Sequence, residues 1–153
     1  MKTFEIAVSR DNYTKATLAL CQLALGDTSG SRTAAQMLLS AYNGKNWQLD
    51  ITDLCNLDPT NFQHAMVFIT CRAKLYTEPH TLLKNGDELF GRLHNHWYQL
   101  HIDNRWKTLC YECYGSREVY IDPDDENNEN TKTCQVCNGL GLIPQVNEFR
   151  PTD

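Results

Sequence analysis

Residues 107–144 read KTLCYECYGSREVYIDPDDENNENTKTCQVCNGLGLIP, and this stretch decides how the last third of the chain folds. Two CxxC pairs, Cys110/Cys113 and Cys134/Cys137, stand twenty residues apart. A CxxC turn supplies two sulfurs from one side, and two such turns complete the tetrahedron that zinc prefers. Each pair is followed at the same offset by glycine, in CYECYG and CQVCNG. A residue just past the second cysteine often needs positive φ so that backbone N–H groups can point at sulfur, and glycine accepts that without a steric penalty. Four thiolates close the coordination shell, so the expected single Zn²⁺ is structural and not catalytic. A redox role would need only one CxxC, at the strand-to-helix junction of an α/β pattern that is absent here.

Around the pairs, WKTLC and REVYID have the aromatic and β-branched content of strands, and GLGLIP ends in an apolar strand. The DPDDENNENTK segment between them is polar and acidic, with too little apolar content to pack. A β-hairpin zinc ribbon is therefore expected over residues 106–145, followed by a short tail, 146–153.

Upstream the pattern is helical. TFEIAVS at 3–9 could be a short strand or an apolar arm. A first helix is expected over 14–25, with Leu18, Cys21 and Leu25 on one face, stopping at Gly26-Asp27. A second starts near Ser29–Ser31 behind Thr28 or Ser29 as cap. It carries Ala35, Leu38, Leu39 and Tyr42 as a stripe and stops at Asn43-Gly44. Asp50 or Thr52 can cap a helical turn within 49–58. Asp58-Pro59 is a favourable start for a third helix running to about Tyr76, its expected buried face being Phe62, Ala65, Met66, Ile69 and Ala73. A fourth follows Asn85-Gly86 with Leu89, Phe90, Leu93 and Trp97. The fold class is thus α+β: a small all-α helical bundle over residues 1–105 with a C-terminal zinc ribbon.

Composition bounds the function. The 153 residues are 41% hydrophobic and 22% charged, as in soluble globular proteins. No apolar run approaches the ~20 residues that span a bilayer, and MKTFEIAVSRDNY is unlike a secretory leader, so a cytoplasmic location and no membrane partner are expected. Of the seven cysteines, Cys21, Cys55 and Cys71 lie singly in apolar patterns and read as small core residues. Residues 107–153 hold four basic and nine acidic residues and so carry the whole net charge of −5. His94, His96 and His101 cluster in HNHWYQLH, but H-x-H on a helix points to different faces, so joint ligation is not expected. Asp50, Asp53 and Asp58 read as helix caps. Arg32, in the first turn of the second helix, opposes the helix dipole and calls for an acidic partner, Asp27 or Asp53. No nucleophile set, carboxylate pair or phosphate-cradling loop is visible, so no enzymatic activity is expected.

Two resemblances add to this. CQVCNGLG at 134–141 resembles the CxxCxGxG zinc-binding repeats of DnaJ-type co-chaperones, with CYECYGS as a partial second copy; the likeness implies zinc binding by these cysteines. The His-Pro-Asp signature of the J domain does not occur in the chain. Separately, GDTSGSR at 26–32, MLLSAYN at 37–43, DITDLCNLD at 50–58 and Trp97 resemble an uncharacterised helical domain family of bacterial plasmids, integrative elements and phages. That likeness covers residues 18–97 and implies an accessory role on a mobile element, such as inhibition of a host defence complex. The expected partner is a protein, basic or nucleic-acid-binding. It would be met by the acidic loop residues Asp122, Asp124, Asp125, Glu126 and Glu129. The alternative is a zinc-ribbon regulator that binds nucleic acid directly; the acidic charge opposes it, because phosphate contacts need Lys and Arg.

Overall fold

The computed structural model describes residues 5–122 and 130–145. The chain divides into two compact units, residues 1–102 and 103–153. The first is helical: α1 (Arg10–Ala24), α2 (Ser29–Tyr42), α3 (Pro59–Leu75) and α4 (Gly86–His96), linked by short 3-10 turns, among them Ile51–Asn56 and Pro79–Leu82. The second is built from four three-residue strands: β1 (Lys107–Leu109), β2 (Glu118–Tyr120), β3 (Thr131–Thr133) and β4 (Leu142–Pro144). The α+β class and the helix order agree with the sequence pattern. Of the segment 3–9, expected as a short strand or an apolar arm, residues 5–9 form no regular element and residues 3–4 lie outside the described residues.

The helix starts are made by side chains that accept otherwise unpartnered backbone N–H groups. Ser9 accepts from Asn12 N at 3.1 Å, so α1 begins at Arg10, four residues before the expected start. Thr28 accepts from Ser31 N at 3.1 Å. Asp58 accepts from Thr60 N at 2.9 Å and Asn61 N at 3.0 Å, and those N–H groups hold its carboxyl below the usual carboxylate value. Asp50 stands at the start of the Ile51–Asn56 turn, but its side chain makes no cap hydrogen bond there.

Two expected helix faces, those of α1 and α3, are wrong in phase, and that of α2 holds except at Tyr42. On α1 the buried face is Tyr13, Ala16, Thr17, Leu20, Cys21 and Ala24, whereas Leu18 and Leu25 are exposed. Small residues let helices approach closely, so alanines, which weigh little in hydropathy, mark the contact here. Helix α2 is the centre of the unit and is buried almost all round, from Gly30 through Leu39, with only Tyr42 of its expected stripe exposed. On α3 the buried residues are Ala65, Phe68 and Cys71; Phe62, Ile69 and Ala73 face out, and Met66 is half-buried. Cys21 and Cys71 are core residues, but Cys55 is exposed on its 3-10 turn. Burial pushes the Cys21 thiol up to about 12, so it is inert packing.

The conspicuous family-like segments serve the joints around α2. Buried Gln36 accepts from Asp50 N at 2.8 Å and donates to the Asp53 carboxylate at 2.7 Å, while Thr33 donates to Asp53 O at 3.0 Å. Arg32 Nε lies 3.8 Å from Asp53 Oδ2, which identifies its acidic partner. Together these contacts fasten DITDLCNLD to α2, with Arg32 as the link to GDTSGSR. Trp97 donates from its buried indole N–H to Ala24 O at 2.7 Å, tying the end of α4 to the end of α1. Gly86 opens α4 against the His80 carbonyl, where an added Cβ would stand 1.8 Å from the oxygen. No helix among the described residues is long and apolar enough to cross a membrane.

Candidate metal centre

The ribbon is not one continuous hairpin but two antiparallel ladders with a cysteine turn at each side. β1 pairs with β4 through Lys107–Pro144, Thr108–Ile143 and Leu109–Leu142. β2 pairs with β3 through Glu118–Thr133, Val119–Lys132 and Tyr120–Thr131. The two turns repeat each other along the chain. Cys110 N donates to Gly141 O at 3.0 Å, and Cys134 N donates to Arg117 O at 2.9 Å, so each turn is closed by the other's end.

The repeat extends to the backbone angles. After each second cysteine come residues with φ of +50° (Tyr114) and +51° (Asn138), then +88° (Gly115) and +75° (Gly139). Two residues on, Arg117 at +73° matches Gly141 at +78°. The glycines at 115 and 139 meet two demands at once, because an added Cβ would also lie 3.0 Å from Leu109 and 2.9 Å from Thr133. Arg117 departs from the pattern: it holds a left-handed conformation that costs a non-glycine residue about 1–2 kcal/mol. The first turn is CYECYGSR where the second is CQVCNGLG, so a direct alignment of the two copies makes this position visible in the sequence.

The left-handed turns converge the sulfurs. All four Sγ atoms lie within 4.8 Å of one another, and every cysteine of the set is buried. Cys110 Sγ is 3.8 Å from Cys134 Sγ, and Cys113 Sγ is 3.7 Å from Cys137 Sγ. A disulfide would need ~2.05 Å. Four sulfurs held at ~2.3 Å from a central ion define a tetrahedron with edges of roughly 3.8 Å, so the spacing fits one tetrahedral thiolate-bound metal ion. Gly141 N donates to Cys137 Sγ at 3.2 Å, which stabilises negative charge on that sulfur. Burial opposes ionisation of Cys137, but the Gly141 N–H and the neighbouring thiols outweigh it and bring the group down to about 7. Among the described residues, Val119 and Ile143 are the apolar side chains that pack against this cluster, a core too small to hold the ribbon unaided.

The other candidate residues are placed as follows. Asp122 is exposed just beyond β2; Asp124, Asp125, Glu126 and Glu129 lie outside the described residues. His94 and His101 flank Trp47, with ring centroids 4.9 Å and 5.2 Å from it, while His96 turns away to Gly26 O at 3.0 Å. What sequence reasoning passed over is the ribbon's exposed aromatic surface. Trp106, Tyr111, Tyr114 and Tyr120 are all more than 60% exposed. Tyr114, Val119, Tyr120 and Ile121 line a cleft of about 520 Å³ beside Cys113. The signal was present as aromatic residues in a segment with almost no core to fill.

The chain is thus a helical unit joined to a ribbon whose four clustered cysteines could hold one metal ion. Residues 14–98 match a family of unknown function (DUF7673), and the chain belongs to that family. The match covers the helical unit and stops short of the ribbon. No curated protein and no solved structure matches the chain.

Proposed function

We propose that this chain is a non-enzymatic protein-interaction module whose ribbon, stapled by one structural zinc ion, presents an acidic, aromatic-rich surface to a basic protein partner. Zinc is supported by the all-thiolate donor set, the near-tetrahedral sulfur spacing and the absence of an open coordination position. The observation that carries the interaction reading is the exposure of Trp106, Tyr111, Tyr114 and Tyr120 on a frame with almost no apolar core. Tyr and Trp are enriched at interface centres, and a metal-stapled frame presents them with little entropy left to lose. The −5 charge of residues 107–153 supplies steering toward a basic surface and weighs against direct nucleic-acid binding. The likeness of residues 18–97 to a helical domain of mobile elements supports an accessory role there, with inhibition of a host defence complex as the specific form.

The test is affinity capture by the full chain from a bacterial host, followed by binding kinetics with the recovered protein. Changing Asp122, Asp124, Asp125, Glu126 and Glu129 to their amides should slow association and flatten its salt dependence, leaving zinc content unchanged. Replacing Tyr114 and Tyr120 by serine should speed dissociation. Tight binding of labelled DNA or RNA at moderate salt, with no protein captured, would contradict the proposal.

A further inference from the structure

Helix α3 carries an apolar seam that its own unit leaves largely exposed, with Met66 at its centre half-buried against the core. Phe62, Met66, Ile69, Ala73 and Tyr76 follow one another at steps of four, three, four and three, the alternation of a coiled-coil seam. Ala65, Phe68 and Cys71 already face the core, so the seam is a second face of the same helix. Phe62 is 42% exposed, Ile69 39% and Tyr76 85%. Tyr76 is also the C-cap of α3 in a left-handed conformation, φ 54° and ψ 20°, where glycine is the usual residue. A large apolar ring is held out into solvent at a conformational cost.

Two clefts flank the seam. Near the start of α3 one of about 480 Å³ is lined by Pro59, Phe62, Gln63 and Met66. Those positions are i, i+3, i+4 and i+7, the four-residue hole that receives a side-chain knob in helix pairing. Near its end an apolar cleft of about 660 Å³ lies between Ile69, Ala73 and Tyr76 on one side and Met37, Leu49 and Leu54 on the other.

We propose that the α3 seam pairs, antiparallel, with the same seam of a second copy of this chain. Setting Ile69 against Met66 of the second copy brings Ala73 opposite Phe62 and Tyr76 opposite Pro59. Each copy then places Tyr76 on the other's smaller cleft and Phe62 beside Ala73 on the other's larger one. Knob and hole are supplied by both members, as a two-fold interface requires. Large residues meet small ones at Phe62–Ala73, and Met66–Ile69 fills the centre. The seam is edged by Gln63, Thr70 and Arg72; Arg72 is paired with Glu78 and in this register falls opposite Gln63, so self-pairing brings no like charges together. The antiparallel sense also sets the Asp58 end of one helix near the basic last turn, Arg72 and Lys74, of the other.

Phe62, Ile69, Tyr76 and the neighbouring Ile51, itself 77% exposed, present on the order of 500 Å² of side chain. With Met66, Ala73 and the polar rim the patch approaches the ~800 Å² per partner of a specific complex. It stands at the lower end of that class, whose weaker members have dissociation constants on the order of micromolar.

Sedimentation velocity on the full chain, from about 1 to about 200 µM, tests this, with helical circular dichroism as the fold control. The wild type should pass from monomer to dimer over that range. Ile69→Glu, and separately Ala73→Glu at an exposed position, should remain monomeric with unchanged helical signal. The register is tested by mixing Met66→Cys and Ile69→Cys chains of different mass, both carrying Cys55→Ser: mild oxidation should yield the mixed-mass disulfide dimer. A wild type that stays monomeric throughout, a dimer that survives both glutamate variants, or failure to form the mixed disulfide would each overturn the proposal. A failure here leaves the ribbon's role untouched, since partner capture is read separately.

Discussion

Exchanging the residues at the two equivalent left-handed positions of the ribbon gives a quantitative test of how sequence fixes the metal centre. Arg117 holds φ +73° where Gly141 holds +78° in the second turn. A non-glycine residue there loses about 1–2 kcal/mol. Arg117→Gly relieves this but makes the unfolded chain more flexible, which returns roughly 0.5–1 kcal/mol. The net gain is about 0.5–1 kcal/mol. Because the ribbon's core is little more than its sulfurs, folding and metal binding are one equilibrium, and the gain should appear as metal affinity tighter by about two- to fivefold. Gly141→Ala runs the other way: it adds the strain and disturbs the N–H donated to Cys137 Sγ at 3.2 Å, so affinity should fall by at least about two- to fivefold. Competition against a chromophoric zinc chelator at fixed pH reads both changes. Equal or weaker binding by Arg117→Gly would refute the argument, and so would an unaffected Gly141→Ala.

Three further outcomes follow from the helical unit. Gly86→Ala drives a Cβ to within 1.8 Å of His80 O, and urea unfolding should show a loss of at least ~2 kcal/mol; a change within error would mean that α4 can start elsewhere without strain. Gln36→Met keeps the volume but removes the acceptor of Asp50 N and one donor to the Asp53 carboxylate, which keeps Arg32, so the same assay should register about 1–2 kcal/mol of destabilisation, whereas a neutral result would show the joint to be held by packing alone. Asp58 has a depressed carboxyl pKa, so its stabilising effect is full above the ordinary carboxylate value and is lost as pH falls through the lower folded value. Stability measured from pH 7 to 2 should therefore decline more steeply in the wild type than in Asp58→Asn at the acid end, and parallel curves would remove Asp58 from that role.

The clustering of the four cysteines was legible because CxxC spacing and the following glycine encode local geometry directly, without need of tertiary context. Helix order was legible for the same reason: Thr28, Asp58-Pro59 and Asn85-Gly86 act within a few residues of where they stand. The faces of α1 and α3 were not. On α1 the contact runs through Ala16 and Ala24, and on α3 through Ala65 and Cys71, residues whose small size matters more than their hydropathy. Counting Leu, Ile and Phe as the buried stripe therefore selected, on α3, the face that remains largely exposed. The burial of polar Gln36 and Thr33 could not be read either, because their partners on 50–53 lie more than a dozen residues away. The ribbon's aromatic residues were read only as strand formers, which left the exposure of its tyrosines unseen.

The central claim, that a single metal ion organises the ribbon, is tested most directly by elemental analysis of the purified chain alongside chelation. One zinc per chain is expected, lost in Cys134→Ser. Strong chelation should melt the strands of residues 107–144, while the helical circular dichroism of α1 to α4 persists. A metal-free preparation that keeps native ribbon amide spectra, with all four of Cys110, Cys113, Cys134 and Cys137 freely titratable, would contradict the account.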